Sequence, residues 1–225
     1  MLDSPFFNGF TDYHSHILFG VDDGVEELSE SLDILAFYES LGVKKVIMTP
    51  HISLMYNNWD LVESNFDTLK KSYTGRIELE LAAEYLLDSG FITERKRGLR
   101  CVENKNVLVE SSYLDKSANF DEVLYEITCE GYIPVIAHPE RYLFMNIPQY
   151  HKLKNCDYLF QLNILSLSGH YGSQVTKRAL YLLENDMYDF VGTDLHNLEV
   201  FNNRARNFKI SSKQLDVLMK ISQRI

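Results

Sequence analysis

Two kinds of pattern alternate along the 225-residue chain. The first is a short apolar block, rich in β-branched or aromatic residues and bounded by polar or turn residues, which predicts a buried parallel strand. Seven such blocks run from Phe10 to His14, Lys45 to Thr49, Ile77 to Ala83, Asn106 to Glu110, Ile133 to Ala137, Tyr158 to Leu162 and Phe190 to Thr193. The second is a stripe of apolar residues at helical spacing. Leu28, Leu32, Leu35 and Ala36 keep the i, i+4, i+7, i+8 positions of one helix face, and Val175, Ala179, Leu182, Leu183 and Met187 form a similar stripe later. Helices are also predicted over Trp59 to Tyr73, Phe120 to Glu130 and Ser211 to Gln223, the last with Ser211 or Ser212 as N-cap. The segment from Leu86 to Arg100 reads as the longest excursion between elements.

Strand and helix in turn build a parallel sheet, either open and doubly wound or closed into a barrel. No linker, repeat or low-complexity tract interrupts the pattern, so residues 1–225 are expected to form a single α/β domain, with 45% hydrophobic residues to fill one core. The formal net charge of -10 repels a nucleic-acid backbone or an anionic membrane surface. Nucleic acid is therefore not an expected partner, and the densest basic stretch, Arg95 to Arg100, reads as a solvated loop. No apolar run nears the roughly 20 residues that span a bilayer, and Met1 to Gly9 carries no signal-peptide pattern. Membrane insertion is not expected, and a cytoplasmic location is. Cys101, Cys129 and Cys156 are odd in number and far apart, which argues against a disulfide framework or a CxxC metal knuckle, and they are expected to be buried small apolar residues.

The chemistry gathers where the strands end. Five of the seven histidines lie just beyond a predicted strand. The first strand runs into Asp12-Tyr13-His14-Ser15-His16, where residues two apart in an extended chain point the same way and can reach one metal ion. Asp22-Asp23-Gly24 follows as a turn with two more carboxylates. Later strands end on or near His51, Glu84, Glu110, His138-Pro139-Glu140-Arg141, Asn163 and Asp194-Leu195-His196. In a parallel barrel all these ends converge on one face. That much negative charge in one cleft needs cations, and imidazole with carboxylate suits manganese, iron or zinc. Two or three ions would fit. Each residue alone has a plainer reading: His14 with His16 by chance, Glu84 beside an arginine, and His151 and His170 as surface or capping residues. Recurrence at almost every strand end favours the metal site.

A multinuclear site activates water and clamps a tetrahedral anion, which suits phosphate ester hydrolysis. Arg141 can offer its planar fork to phosphate oxygens, or form an internal salt bridge with Glu140 or Asp157. Asp23 can act as the acid for the leaving oxygen, or be a turn carboxylate. Other phosphate chemistries lack their parts. A cysteine phosphatase needs an arginine after five intervening residues, where this chain has Val107, Val135 and Leu162. There is no GxxxxGK[ST], DxDx[TV] or GxSxG either.

Taken together, Asp12 to His16, Val21 to Gly24, Thr49-Pro50-His51, Glu84, Glu110, Ala137 to Tyr142 and Thr193 to Asn197 resemble the polymerase-and-histidinol-phosphatase (PHP) superfamily. Within it they are most similar to the bacterial protein-tyrosine phosphatases of capsule and exopolysaccharide operons, the CpsB/YwqE type. The resemblance implies a distorted (β/α)7 TIM-like barrel with a trinuclear, manganese-dependent site. His14, His16, His51, Glu84, Glu110, His138, Asp194 and His196 then correspond to metal ligands. Asp23 and Arg141 correspond to phosphate-contacting groups, Asp23 also to a proton donor. The implied substrate is phosphotyrosine on a tyrosine autokinase that controls polysaccharide export. Members often carry a second phosphate-binding arginine soon after the DxH block. Here Asn197 to Asn203 holds none, so Arg204 or Arg206 takes the role from a shifted loop or the role is missing.

Two rivals stand beside that reading. One is a PHP enzyme for a small phosphomonoester such as histidinol phosphate; the other is a non-catalytic metalloprotein that binds phosphorylated partners. Tyr56, Trp59, Tyr85 and Tyr142 are placed near the site, either to stack on a phosphotyrosine ring or as rim packing.

Overall fold

The computed structural model describes residues 5–114, 116, 119–205 and 211–222. Its strands are β1 (Thr11–Ser15), β2 (Lys45–Met48), β3 (His51–Ile52), β4 (Glu78–Leu81), β5 (Glu84–Leu86), β6 (Asn106–Glu110), β7 (Ile133–Ala137), β8 (Leu159–Asn163) and β9 (Phe190–Gly192). All pairings between these strands are parallel, in the orders β1-β2-β4 and β3-β5-β6-β7-β8-β9. Helices α1 (Leu28–Leu41), α2 (Trp59–Ser72), α3 (Phe91–Arg97), α4 (Phe120–Cys129), α5 (Ile147–Lys154) and α6 (Ser173–Glu184) carry the chain between strands, and α7 (Leu198–Ala205) and α8 (Ser212–Ser222) follow the last. Parallel neighbours need such crossovers.

The two sheets are one surface with a crease. Of the seven expected strands, Lys45 to Thr49 and Ile77 to Ala83 stop early, and each resumes as a short second strand after a two-residue break. Pro50 lies in one break and has no N–H for a ladder. Pairing nevertheless continues across the crease, where the Ala82 N–H donates to the Met48 carbonyl at 2.9 Å and the Glu84 N–H to Pro50 at 3.1 Å. At the other edge the chain beyond β9 returns to β1: a parallel bridge joins Ser15 to Leu195, and the Asp194 N–H donates to the His14 carbonyl at 2.7 Å. The result is the curled parallel α/β sheet expected of a distorted (β/α)7 barrel.

Residues along the strands alternate between two apolar clusters. Val107 and Val109 join the large one with helix residues such as Leu35, Leu69 and Ile127. Leu108 joins a small one with Tyr13, Ile47, Val135, Ala137 and Phe190, on the face that the helices do not cover. Glu110 shares the parity of Leu108, so it stands on that inner face, beyond the apolar plug.

The seam between β1 and β9 is tied by Asp12, which is fully buried. Its Oδ1 accepts the backbone N–H groups of Thr193 (2.9 Å) and His14 (3.3 Å), and its Oδ2 accepts the hydroxyls of Thr193 (2.7 Å) and Tyr38 (3.0 Å). Burial pushes the carboxyl up to about 6, against the pull of these donors. Tyr38 reaches this point from α1, so one side chain pins helix, first strand and last strand together.

Several local expectations are corrected. Within Leu86 to Arg100 α3 forms, with Phe91 buried and Arg95 paired with Glu126 and Glu130, so the basic stretch is helix as far as Arg97 and loop only from Gly98 to Arg100. Helices α5 and α7 lacked a long apolar stripe and were not foreseen. Cys129 and Cys156 are exposed, at the end of α4 and just after α5, and Cys101 is half-buried; all three are free thiols. The last helix starts as expected, the Ser211 hydroxyl accepting the Gln214 N–H at 3.3 Å, while Gln223 lies outside the described residues. No helix among the described residues is long and apolar enough to cross a membrane.

Tyr38→Phe removes one donor from a buried carboxylate and should lower stability by about 1–3 kcal/mol. Urea unfolding would read this as a lower midpoint at unchanged slope; an unchanged midpoint would mean that the seam does not depend on this hydroxyl.

Candidate active site

Glu84, the first residue of β5, lies at the centre of the strand ends. It is fully buried, and neither carboxylate oxygen has a hydrogen-bond partner among the described residues. Four imidazoles converge on it instead. His14 Nε2, His16 Nε2 and His51 Nδ1 stand 3.1, 3.2 and 3.1 Å from Oε2, and His138 Nε2 stands 3.2 Å from Oε1. His14 and His16 also face each other, Nε2 to Nε2, at 3.0 Å. Asp194 Oδ1 lies 3.5 and 3.4 Å from the same two nitrogens, and Glu110 lies 3.8 Å from His51 and 3.6 Å from His138. At the mouth, Asp23 Oδ1 lies 3.6 Å from His51 and 3.7 Å from His196.

The backbone shows why the residues gather. Pairing of β1 with β2 shifts register between Asp12 and Ser15, an irregularity of the kind that re-aims a side chain. Gly192 lets β9 press against His14: a Cβ there would lie 2.4 Å from the His14 Cβ. Gly24 does the same for His16, whose carbonyl oxygen would lie 2.2 Å from an added Cβ. His138 and Asp194 adopt left-handed backbone, at φ of 30° and 51°. Non-glycine residues enter that region at a cost of order 1–3 kcal/mol, which the surrounding structure must impose.

A second layer sets which ring nitrogen faces inward. His14 Nδ1 contacts Gln161 Oε1 at 2.9 Å, His16 Nδ1 contacts Asp22 Oδ2 at 2.8 Å, and His196 Nδ1 contacts the Asp194 carbonyl at 2.9 Å. Each leaves Nε2 for the centre, the arrangement in which a ring nitrogen serves as a metal ligand. Asp22 and Gln161 were not foreseen as site residues. Asp22 could have been suspected from its place in the Asp22-Asp23-Gly24 turn; Gln161 sits inside a strand and carries no motif.

Electrostatically the cluster is strained without a cation. Burial opposes the charged form of His14, yet Glu84 and Asp194 outweigh it and raise the imidazole to about 9. Burial and the Glu84 charge push Glu110 up to about 7, while burial and Arg141 lower His138 to about 4. Four overlapping groups bring one donor atom per residue within 4.8 Å of each other: His14, His16 and Glu84; His51, Glu84 and Glu110; His14, His138 and Asp194; and His16, Asp23, His51 and His196. Two unpartnered, fully buried carboxylate oxygens facing this set of nitrogen and oxygen donors fit divalent ions of the manganese, iron or zinc type. All eight residues expected as ligands are thus in one place, and Asp23 is drawn into the outermost group.

Arg141 lies beside the cluster, in a cleft of about 390 Å³ that also presents Asp23, Tyr113, His170, Tyr171, Val200 and Phe201. Its Nη1 donates to Asp194 Oδ2 at 2.7 Å, so the alternative of a salt bridge with Glu140 or Asp157 is set aside. Glu140 turns away, accepting from Ser166 Oγ (2.7 Å), Tyr188 Oη (2.9 Å) and the Asn163 N–H (3.1 Å). Of the four aromatic residues expected near the site, Tyr56 stacks near His51 and the buried Tyr142 packs edge-on against His138, whereas Tyr85 is buried elsewhere and Trp59 donates to Glu94 at 2.7 Å. The cleft's aromatic residues are Tyr113, Tyr171 and Phe201, which sequence reasoning missed because they follow no strand-end pattern. His170 lines the cleft, while His151 sits at the surface against Tyr181. Arg204 is exposed near the end of α7 and does not line the cleft; Arg206 lies outside the described residues.

A family model for capsular polysaccharide synthesis proteins of the CpsB/CapC type matches residues 10–218. The chain belongs to this family. Among its members, the tyrosine-protein phosphatase CpsB of Streptococcus pneumoniae is 30% identical over 202 residues, 84% of this chain and 83% of CpsB. The tyrosine-protein phosphatase YwqE of Bacillus subtilis is 27% identical over 212 residues, 85% of this chain and 79% of YwqE. A crystal structure from work on YwqE and the Streptococcus pneumoniae CpsB, described as metal-dependent tyrosine phosphatases, aligns with a TM-score of 0.77 at 27% identity, covering 93% of this chain and 86% of that one. A histidinol phosphate phosphatase from Lactococcus lactis shares the fold more distantly, with a TM-score of 0.52 at 14% identity over 96% of this chain and 94% of that one.

Gly192→Ala should displace His14 and, by overpacking, lower stability by about 1–3 kcal/mol. Metal analysis of the folded variant should show fewer bound ions per chain than the parent protein; a full complement would mean that the close approach of β9 to His14 does not shape the site.

Proposed function

We propose that this protein hydrolyses phosphotyrosine on proteins, with two or three divalent ions, manganese foremost, held by His14, His16, His51, Glu84, Glu110, His138, Asp194 and His196. The observation that carries the reading is the unpartnered Glu84 carboxylate ringed by four imidazoles beside an arginine-walled cleft. Membership of a family whose relatives are tyrosine-protein phosphatases supports the substrate class. When bound, such ions supply Lewis acidity and a nucleophile at neutral pH.

The chain's own residues then divide the work. Gln161 and Asp22 orient the His14 and His16 rings. Arg141, anchored on Asp194, offers its remaining N–H groups to the phosphate oxygens, and stabilises them most as charge builds in the transition state. Asp23, more than half exposed at the mouth, is placed to deliver a proton to the leaving phenolic oxygen and can also join His16, His51 and His196 around an ion. Residues 1–225 would act as one phosphatase domain. The partner would be a tyrosine kinase that governs polysaccharide synthesis or export, met in the cytoplasm, where three free thiols persist.

The deciding experiment strips the protein with a chelator, restores manganese, iron or zinc, and compares phosphate release from a phosphotyrosine peptide and from histidinol phosphate. Release from the peptide, absent in the stripped protein and greatest with manganese, is expected. Equal or better turnover of histidinol phosphate would assign the site to small monoesters, and peptide binding without release would make it a non-catalytic reader. Arg141→Ala should lower kcat/KM by about tenfold to a hundredfold, the equivalent of one hydrogen bond to a charged group. Unchanged kinetics would remove Arg141 from the phosphate subsite.

A further inference from the structure

Two tyrosine rings pack against the guanidinium of Arg141. The Tyr113 centroid lies 4.4 Å from the guanidinium carbon and the Tyr171 centroid 4.2 Å. Each tyrosine is itself fixed. Tyr113 Oη donates to Glu110, and Tyr171 Oη accepts from Asn163 Nδ2 at 3.1 Å, whose amide also donates to Asp194 Oδ2 at 2.6 Å. Asn163, Asp194, Arg141 and Tyr171 thus close a ring of contacts.

From this geometry we infer that Tyr113 and Tyr171 are positioning residues for the phosphate subsite, clamping Arg141 so that its donor edge is held ready for an anion. The inference rests on the phosphatase reading above. The guanidinium N–H groups all lie in its own plane, so packed rings leave the donors at its edge free. One goes to Asp194, and the rest of the edge belongs to a side chain that lines the cleft. A free arginine side chain carries about 2 kcal/mol of rotamer entropy that it loses on gripping a ligand. The stacked rings remove that freedom before the ligand arrives, and they strengthen the hold through cation–π attraction.

The test uses Tyr171, whose hydroxyl touches none of the proposed metal ligands. Tyr171→Leu removes one face of the clamp, and Tyr171→Phe keeps it. With manganese bound, inorganic phosphate binding is measured by calorimetry and peptide hydrolysis by steady-state kinetics, each in the wild-type and Arg141→Ala backgrounds, with metal content and thermal unfolding alongside. Tyr171→Leu should weaken phosphate binding and raise KM by about fivefold to tenfold, between an exposed and a desolvated cation–π contact, with a smaller change in kcat. Tyr171→Phe should recover most of that loss, and in the Arg141→Ala background Tyr171→Leu should add nothing. Equal effects in both backgrounds, or a Tyr171→Phe loss as large as that of Tyr171→Leu, would overturn the clamp. If Tyr171→Leu fails to fold, Tyr171→Phe against Tyr171→Trp decides: equal phosphate affinity is expected with a ring retained, and a tenfold loss in both would refute it. Failure of the wild-type protein to hydrolyse the peptide would instead strike the phosphatase reading, and phosphate calorimetry keeps the two outcomes apart.

Discussion

A carboxylate that is buried without hydrogen bonds is the constraint around which this molecule is arranged. Removing an ionised carboxylate from water costs several kcal/mol even after relaxation, unless opposite charge surrounds it. Four imidazoles from three strand ends far apart in sequence surround Glu84, and three of them, His14, His16 and His51, are raised and supply that charge. Burial alone would favour its neutral form, but His14 and His51 hold its carboxyl well below the usual carboxylate range. Imidazolium can fill the role only while the site is empty. Bound ions would replace those protons, because the same nitrogen lone pairs serve both, so metal occupancy and fold stability become linked.

The creased sheet follows from that need. A regular seven-stranded surface would bring its ends to a ring, with each side chain facing its own neighbour. The second and third predicted strands break at Thr49-Pro50 and at Ala82-Ala83, yet His51 and Glu84 still pair side by side in the register that Met48 and Leu81 hold before the break. Across the barrel, Asp12 ties the first strand to Thr193 and so sets His14 and His16 against Asp194. Gly192 then allows the last strand the closeness that this contact demands. Left-handed backbone at His138 and Asp194 marks where the fold imposes strain on residues it needs in place.

How much of this could be read in the chain itself depends on the range of the interaction. His14 with His16, His138 with Arg141, and Asp194 with His196 are short-range signals, and a strand end predicts where each must point. Glu84 and Glu110 were legible only through the strands that carry them, since a lone glutamate has no motif. Gln161, Tyr113 and Tyr171 meet His14 or Arg141 from far along the chain, and no local pattern distinguishes them from packing residues, whereas Asp22 stood in a legible turn without a sign of its role. The crease escaped for a related reason: Lys45 to Thr49 and Ile77 to Ala83 have uniform strand character, and their interruption reflects what His51 and Glu84 must reach. Cys129 and Cys156 were misplaced because composition says little about which face of a short helix end meets solvent.

The region after His196 changes how charge at the phosphate is balanced. Helix α7 begins at Leu198 and turns Val200 and Phe201 toward the cleft, while Arg204 stays outside its lining. Burial, with the charges of Arg204 and Arg141 nearby, lowers His170 below the ordinary imidazole range, which leaves that ring a neutral wall and not a second cation. Among the described residues of the cleft, Arg141 is therefore the one fixed positive charge available to an anion. A lone cation that is also paired with Asp194 must be well oriented to bind a second anion, since each misdirected N–H is a hydrogen bond lost. Two aromatic rings and a carboxylate hold it in that orientation. Tyr113, Tyr171 and Asp194 thus fix the orientation of that cation beside the apolar side chains that α7 presents to the cleft.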